Sequence, residues 1–307
     1  MNLEHKTVLL AETIENLNIK NDGIYIDCTA GGAGLSFEIA TKIPNGKLLT
    51  IDIDPDAIKI CREKLKKFNN VLILRENFAN LKKICAELEI CEKTDGIVID
   101  LGVSSYQTDN PERGFSYSKN CNIDMRMSKE GIGAFEVVNN MSKSELANIM
   151  KIYGEEKYAK KIALEILNFR KKNGKIFTTF ELVDIIKKSG VYNDLNGVLK
   201  RVFQSIRIFV NKEIYNLEIV LKDVLHILKP GGRLLVLTFH SLEDRIVKFA
   251  FGTWAKSCVC PDDFPVCVCK HKPEVKLITK KPITAKMSEL ENNRRSKSAK
   301  LRICEKL

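Results

Sequence analysis

Gly23-Ile-Tyr-Ile-Asp-Cys-Thr29, running directly into Ala30-Gly-Gly-Ala-Gly34 and the helical pattern Leu35 to Ala40, is the stretch on which the fold turns. A short β-rich run, a glycine turn and an amphipathic segment read as strand, turn and helix. The same rhythm continues outward. Lys47-Leu-Leu-Thr-Ile-Asp52 reads as a buried strand ending in an acid, and Asp54-Pro55 opens a helix over 56–65. Val71 to Arg75 is a third strand, 79–90 a helix, and Gly96-Ile-Val-Ile-Asp100 a fourth strand with another terminal acid. Strands alternating with helices predict a parallel sheet covered on both faces. After Asp100 the rhythm breaks: 104–130 is loop-like, and 142–190 holds two or three amphipathic helices with no strand between them. Alternation returns with a helix from Leu217 to Leu228, the turn Lys229-Pro-Gly-Gly232 and the strand Arg233 to Thr238. Phe239-His-Ser-Leu-Glu-Asp-Arg245 then starts a helix, with Ser241 and Asp244 at capping-box spacing. Val275 to Thr279 and Lys300 to Cys304 are late strands. The expected architecture is an α/β, Rossmann-like sheet built from 1–109 and 211–307, interrupted by an inserted helical domain over 110–210.

Composition supports a folded chain with a sizeable core. Its 307 residues exceed one average domain, and 44% hydrophobic with 29% charged residues excludes disordered, collagen-like and membrane-spanning classes. No apolar run approaches the ~18 residues a membrane span needs. Glu4 and Glu12 interrupt the N-terminal region where a signal peptide needs apolar sequence, so the expected compartment is the cytoplasm. The net charge of +11 is unevenly placed: 1–108 carries 13 basic and 16 acidic side chains, 109–255 carries 24 and 17, and 256–307 carries 13 and 6. Segregated cationic surface suits a polyanion such as nucleic acid, although a Lys-rich solvated surface reads the same way. Ten cysteines in such a chain read as reduced thiols and not as a disulfide framework. Four of them, Cys258, Cys260, Cys267 and Cys269, form a C-x-C, six-residue gap, C-x-C cluster.

A glycine turn between a first strand and its helix lets backbone N–H groups approach a ligand. The dinucleotide fingerprint G-x-G-x-x-G, counted from Gly32, requires Gly at position 37, where this chain has Phe37, so a nicotinamide cofactor is disfavoured. Asp52, at the end of the second strand, stands where a carboxylate accepts both hydroxyls of a ribose. A nucleoside cofactor without a pyrophosphate fits. A purely structural turn with Asp52 as a local cap is the lesser alternative on these residues alone.

This order of strand, glycine turn, acid-ended strands and late Lys-Pro-Gly-Gly turn resembles the class I S-adenosylmethionine-dependent methyltransferases. Longer strings narrow the resemblance: His5-Lys-Thr-Val-Leu-Leu10, Asp100-Leu-Gly-Val-Ser-Ser105, Glu112-Arg-Gly-Phe-Ser116, Ile123-Asp-Met-Arg-Met127, Tyr153-Gly-Glu-Glu156 and Phe239 to Arg245. Nearly end to end, the chain is similar to the bacterial 16S rRNA (cytosine-N4)-methyltransferase family, RsmH or MraW. The resemblance implies S-adenosylmethionine as cofactor and one cytidine N4 in the decoding region of 16S rRNA as target. It implies cofactor contacts at Ala33, Gly34 and Leu35, at Asp52 for the ribose, at Phe78 beside the adenine, and at Asp100 and Gln107 near the methionine end. Leu35 stands where many members carry His, so only backbone contact carries over there.

Methyl transfer to an amino nitrogen needs in-line alignment and an acceptor for the departing proton. The loop Asp100 to Ser105 is the expected catalytic region, with Asp100 or a loop carbonyl as acceptor and Ser104 and Ser105 as helpers; hydrogen bonding of the serines to their own backbone is the plainer alternative. RNA contacts are expected from Arg113, Arg126, Arg201, Arg207, Arg294 and Arg295, the first two flanking Phe115 and Tyr117 for stacking. The four clustered cysteines can close a tetrahedral zinc site with His271 as spare ligand, but C-x-C is tighter than the usual C-x-x-C and reduced cysteines on a hairpin look identical. No metal is assigned from sequence. Two rivals stand beside this reading: an amino-methyltransferase of another RNA or DNA, and a non-catalytic RNA-binding ribosome-assembly factor on the same fold.

Overall fold

The computed structural model describes residues 7–190, 194–258, 260, 266 and 268–307, and divides into two compact units, 1–102 with 215–307, and 103–214. In chain order the first unit opens with α1 (Leu10–Asn16), β1 (Ile24–Asp27), α2 (Gly34–Lys42), β2 (Lys47–Asp52), α3 (Pro55–Leu65), β3 (Val71–Arg75), α4 (Leu81–Glu87) and β4 (Thr94–Asp100). The second contains α5 (Ser105–Asp109), α6 (Ala134–Asn140), α7 (Lys143–Gly154), α8 (Ala159–Asn173), α9 (Thr179–Lys188) and α10 (Leu195–Asn211). After α11 (Glu213–Asp223), which begins at the junction, the first unit resumes with β5 (Leu228–Thr238), α12 (Ser241–Trp254), β6 (Val275–Leu277), α13 (Met287–Asn292) and β7 (Lys300–Lys306).

Among the described residues the first unit holds one seven-stranded sheet in the order β3-β2-β1-β4-β5-β7-β6. β1 to β5 are mutually parallel, while β7 runs antiparallel to both β5 and β6. β2 and β4 are buried along nearly their whole length and β5 over its second half, as a sheet covered on both faces requires. One face packs Ile97, Ile99 and Val236 against Leu217, Val220 and Phe251 of α11 and α12; the other packs Tyr25, Val98 and Leu235 with Leu9, Leu35 and Ile39 of the α1 and α2 region. The strand order reverses between β1 and β4, the kind of switch point at which open α/β sheets bind ligands beyond the carboxyl ends of their strands.

Several expected boundaries shift. The helix expected over 79–90 begins as a 3-10 turn, Phe78–Asn80, and reaches only to Glu87. The turn Lys229 to Gly232 is absorbed into β5. Ser241 is not the N-cap of α12: His240 caps it and Glu243 closes the box, while Asp244 pairs with Arg302 (2.7 Å) and Lys300 (2.9 Å), tying the helix to β7.

The regular structure described in the second unit is helical apart from one isolated bridge between Asn122 and Thr178. Its core gathers Leu146, Ile149, Ile162, Ile166, Leu182, Ile186, Val202 and Phe203 from four helices. α7 and α10 approach closely because position 154 is glycine; a Cβ there would sit 2.7 Å from the Arg201 carbonyl oxygen. Glu155 follows in the left-handed region (φ 50°), and buried Glu156 accepts from Arg201 Nε at 2.7 Å.

Candidate active site

The site is built from the ends of β1, β2, β4 and β5. After β1, Cys28 N–H donates to Val98 O and Ala30 N–H to Ile51 O, so the turn leaves its strand between both neighbours. Gly31 (φ 47°) and Ala33 (φ 61°) take left-handed conformations, and α2 starts at Gly34 with no side chain capping it. A Cβ at Gly34 would lie 2.1 Å from Thr7 Oγ1, so glycine there permits a close approach of the segment before α1.

Asp52 secures this turn. Its Oδ2 accepts from Gly31 N–H and its Oδ1 from Asp54 N–H, each at 2.8 Å. Burial pushes its carboxyl up to about 6, partly offset by those two bonds. Each oxygen retains a second lone pair, so hydroxyl donors can still be accepted. Phe78 begins the 3-10 turn beyond β3 and packs, half-buried, against the core of the first unit.

Asp100 is the most unusual group. Its N–H donates to Thr29 Oγ1 at 2.7 Å, linking the loops after β4 and β1, but its Oδ1 is buried without a hydrogen-bond partner. Burial, followed by the charges of Asp27 and Glu243, pushes its carboxyl up to about 8. Asp27 is fully buried, accepts from Ser36 Oγ (2.5 Å) and Thr29 N–H (3.1 Å), and is itself raised chiefly by burial. Buried Glu243 accepts from Phe239 N–H at 2.8 Å, and His240 Nδ1 accepts from Glu243 N–H at 3.4 Å. An orphaned acceptor among acids calls for a donor, and a cationic one above all. Asp27 and Glu243 escaped the sequence reading as site residues, although Asp27 ends its strand with an acid as Asp52 and Asp100 do.

The other expected site residues sort differently. Leu35 is buried in the sheet core, so its side chain packs and only its backbone faces the turn. Ser104 caps α5: its Oγ accepts from Gln107 N–H (3.2 Å), and Gln107 Oε1 accepts from Ser104 N–H (2.9 Å). Ser105 and Gln107 are buried in the first turn of that helix. Ser104 thus takes up the backbone role that was the alternative to a catalytic one.

Four of the six arginines expected to meet RNA are engaged within the second unit. Arg113 is 5% exposed, donates through Nη2 to the carbonyls of Arg126 and Met127 at 2.9 Å, and lies over Phe115. Phe115 and Tyr117 pack against the helical core, Tyr117 edge-on to Phe203. Arg126 pairs with Asp124 at 2.6 Å, Arg201 with Glu156, and Arg207 with Glu213 at 2.8 Å. These guanidiniums hold loops and helix ends, because a buried charge is retained only when paired. Arg294 and Arg295 are exposed. Of the cysteine cluster, Cys258, Cys260 and Cys269 come together, and Cys267 lies outside the described residues.

Comparison with known proteins finds relatives over the whole chain. Relatives named ribosomal RNA small subunit methyltransferase H are 50% identical over 311 residues in Clostridium botulinum (strain 657 / Type Ba4) and 48% identical over 313 in Finegoldia magna, each alignment covering all of both chains. A solved rRNA methylase from Streptococcus thermophilus is similar at 10% identity and a TM-score of 0.41, covering 97% of this chain and 92% of that one. The profile of the MraW methylase family matches residues 2–307, and the chain belongs to that family.

Proposed function

We propose that this protein transfers a methyl group from S-adenosylmethionine to the exocyclic N4 of a specific cytidine in the decoding region of 16S rRNA, acting in the cytoplasm. The single observation that carries the reading is Asp100: a buried carboxylate oxygen without a partner, at the switch point, amid two further acids. Such a group fits the ammonium of an amino-acid moiety. When bound, S-adenosylmethionine supplies an electrophilic methyl on a sulfonium.

The chain's own residues then position and deprotonate. Asp52 accepts the ribose hydroxyls with the lone pairs left over from Gly31 and Asp54, Phe78 lies along the adenine, and Ala33 to Leu35 offer backbone contact at the start of α2. Gln107 serves the methionine end from the capped turn of α5. Cytosine N4 is a poor nucleophile because its lone pair is delocalised into the ring. Asp100 meets this by accepting an N4–H on one carboxylate oxygen while the other holds the ammonium, so nitrogen pyramidalises as the methyl arrives. The helical unit, taken over 110–210, recognises the substrate, with Arg294 and Arg295 as phosphate contacts from the sheet unit.

The test is nucleoside mass spectrometry of 16S rRNA after incubation of small subunits, free rRNA and unrelated oligonucleotides with the protein and labelled S-adenosylmethionine. N4-methylcytidine at one rRNA position is expected. Label in another nucleoside would move the target elsewhere, and tight RNA binding without any S-adenosylmethionine binding would favour the assembly-factor rival.

A further inference from the structure

α12 ends at Trp254 and β6 begins at Val275, and the chain between them closes on itself: Glu274 N–H donates to Trp254 O at 2.8 Å. This excursion carries Cys258, Cys260 and Cys269. Of its described apolar side chains, Val266 is 70% and Val268 67% exposed, so these two do little to hold it. Its described residues hold no helix or strand, so another cross-link is needed to repay their ordering.

The sulfurs provide one. The Sγ atoms of Cys258, Cys260 and Cys269 all lie within 4.8 Å of one another, and those of Cys258 and Cys269 are 3.8 Å apart. Four thiolates at the ordinary Zn–S distance of about 2.3 Å stand about 3.8 Å apart along each tetrahedral edge. A disulfide would need about 2.05 Å. Two backbone amides also point at these sulfurs: Cys260 N–H donates to Cys258 Sγ at 3.4 Å, and His271 N–H to Cys269 Sγ at 3.5 Å. Donation from an amide two residues on favours the thiolate over the thiol and holds the ligand in place, as outer-shell hydrogen bonds do at metal centres. His271 Nε2 is buried without a hydrogen-bond partner but stands outside this group of sulfurs. Three thiolates and one divalent ion leave a single negative charge, and Lys256, Lys270 and Lys272 stand close to these residues in the sequence.

We propose that Cys258, Cys260 and Cys269 bind a zinc ion as thiolates, the fourth tetrahedral position being filled from outside this trio. The site is a closed, structural one that ties the excursion together beside the β6–β7 edge of the sheet, and binding releases the three thiol protons. It lies outside the methyl-transfer machinery.

Elemental analysis of the full-length protein, expressed with zinc and purified without chelators, tests this: about one zinc per chain is expected in the wild type and less than about a tenth in Cys258→Ser and Cys269→Ser. Cys121→Ser, in the helical unit, keeps its zinc. If the serine variants fail to fold, the wild type alone suffices: titrating its thiols with a mercurial should release zinc to a chelating dye as the thiols react. The cobalt-substituted protein should show charge-transfer intensity for three thiolates. A metal-free wild type that takes up no added zinc, or a disulfide between Cys258 and Cys269, overturns the site.

Discussion

Asp100 ends β4 with a carboxyl pushed up to about 8, first by burial and then by Asp27 and Glu243. In the unfolded chain the same group titrates near 3.9, so between these values the folded state holds a proton that the unfolded state has lost, and stability falls as pH rises from about 4 to 8. Thermal melts without cofactor should therefore show a decline over that range of up to roughly 3–5 kcal/mol from this group, shallower in Asp100→Asn. A bound ammonium reverses the electrostatics and lowers the pKa. Cofactor binding near pH 7 should thus release up to about one proton, read by calorimetry in buffers of different ionisation heat, and Asp100→Asn should abolish both that release and methylation. Binding with no proton release would refute the pairing. Gly34 offers a second check at this scale. Gly34→Ala should cost about 1–3 kcal/mol in denaturant melts, because its Cβ would meet Thr7 Oγ1 at 2.1 Å, and Thr7→Ala in the same chain should recover most of it. A single variant as stable as the parent would disprove the clash.

At the scale of elements, the alternation of strand, turn and helix over 23–100 was legible because periodicity and glycine punctuation are local properties. What α7 and α10 do to each other was not. Tyr153-Gly-Glu-Glu156 carried the family resemblance, and its physical meaning is a helix crossing: Gly154 admits the Arg201 backbone, and Glu156, 2% exposed, takes the Arg201 guanidinium from 45 residues away. Arg201→Ala should cost about 3–5 kcal/mol, since it strands a buried carboxylate, and the loss should show as a lower melting temperature of the folded chain. If Arg201→Ala instead leaves stability intact and weakens only RNA affinity, the arginine belongs to the docking surface after all. The capping of α5 by Ser104 teaches the same lesson: a serine before a helix and a serine beside a substrate are indistinguishable until the helix start is located.

For the whole molecule, charge segregation was readable, but the choice of arginines was not. Arg113, Arg126, Arg201 and Arg207 pair within the helical unit, which leaves Arg294 and Arg295 as the exposed members of the expected set. Replacing both with Ala should weaken RNA binding uniformly across sequences and reduce the slope of log affinity against log salt by about 2, with cofactor affinity unchanged. An unaltered salt slope would move the phosphate contacts elsewhere on the basic surface. Among the described residues no helix is long and apolar enough to cross a membrane.

The order of residues along the chain was enough for the sheet, its glycine turn, the two acids Asp52 and Asp100 and the family, because each is written in neighbouring residues or in long contiguous strings. Folding alone decided which charges are consumed internally and which face outward. It also decided that Asp27 and Glu243 raise Asp100, and that three cysteines spread over twelve positions share one small space. Ion pairing, desolvation and ligand geometry depend on separations in space, and the chain brings its partners together only when strands and helices pack.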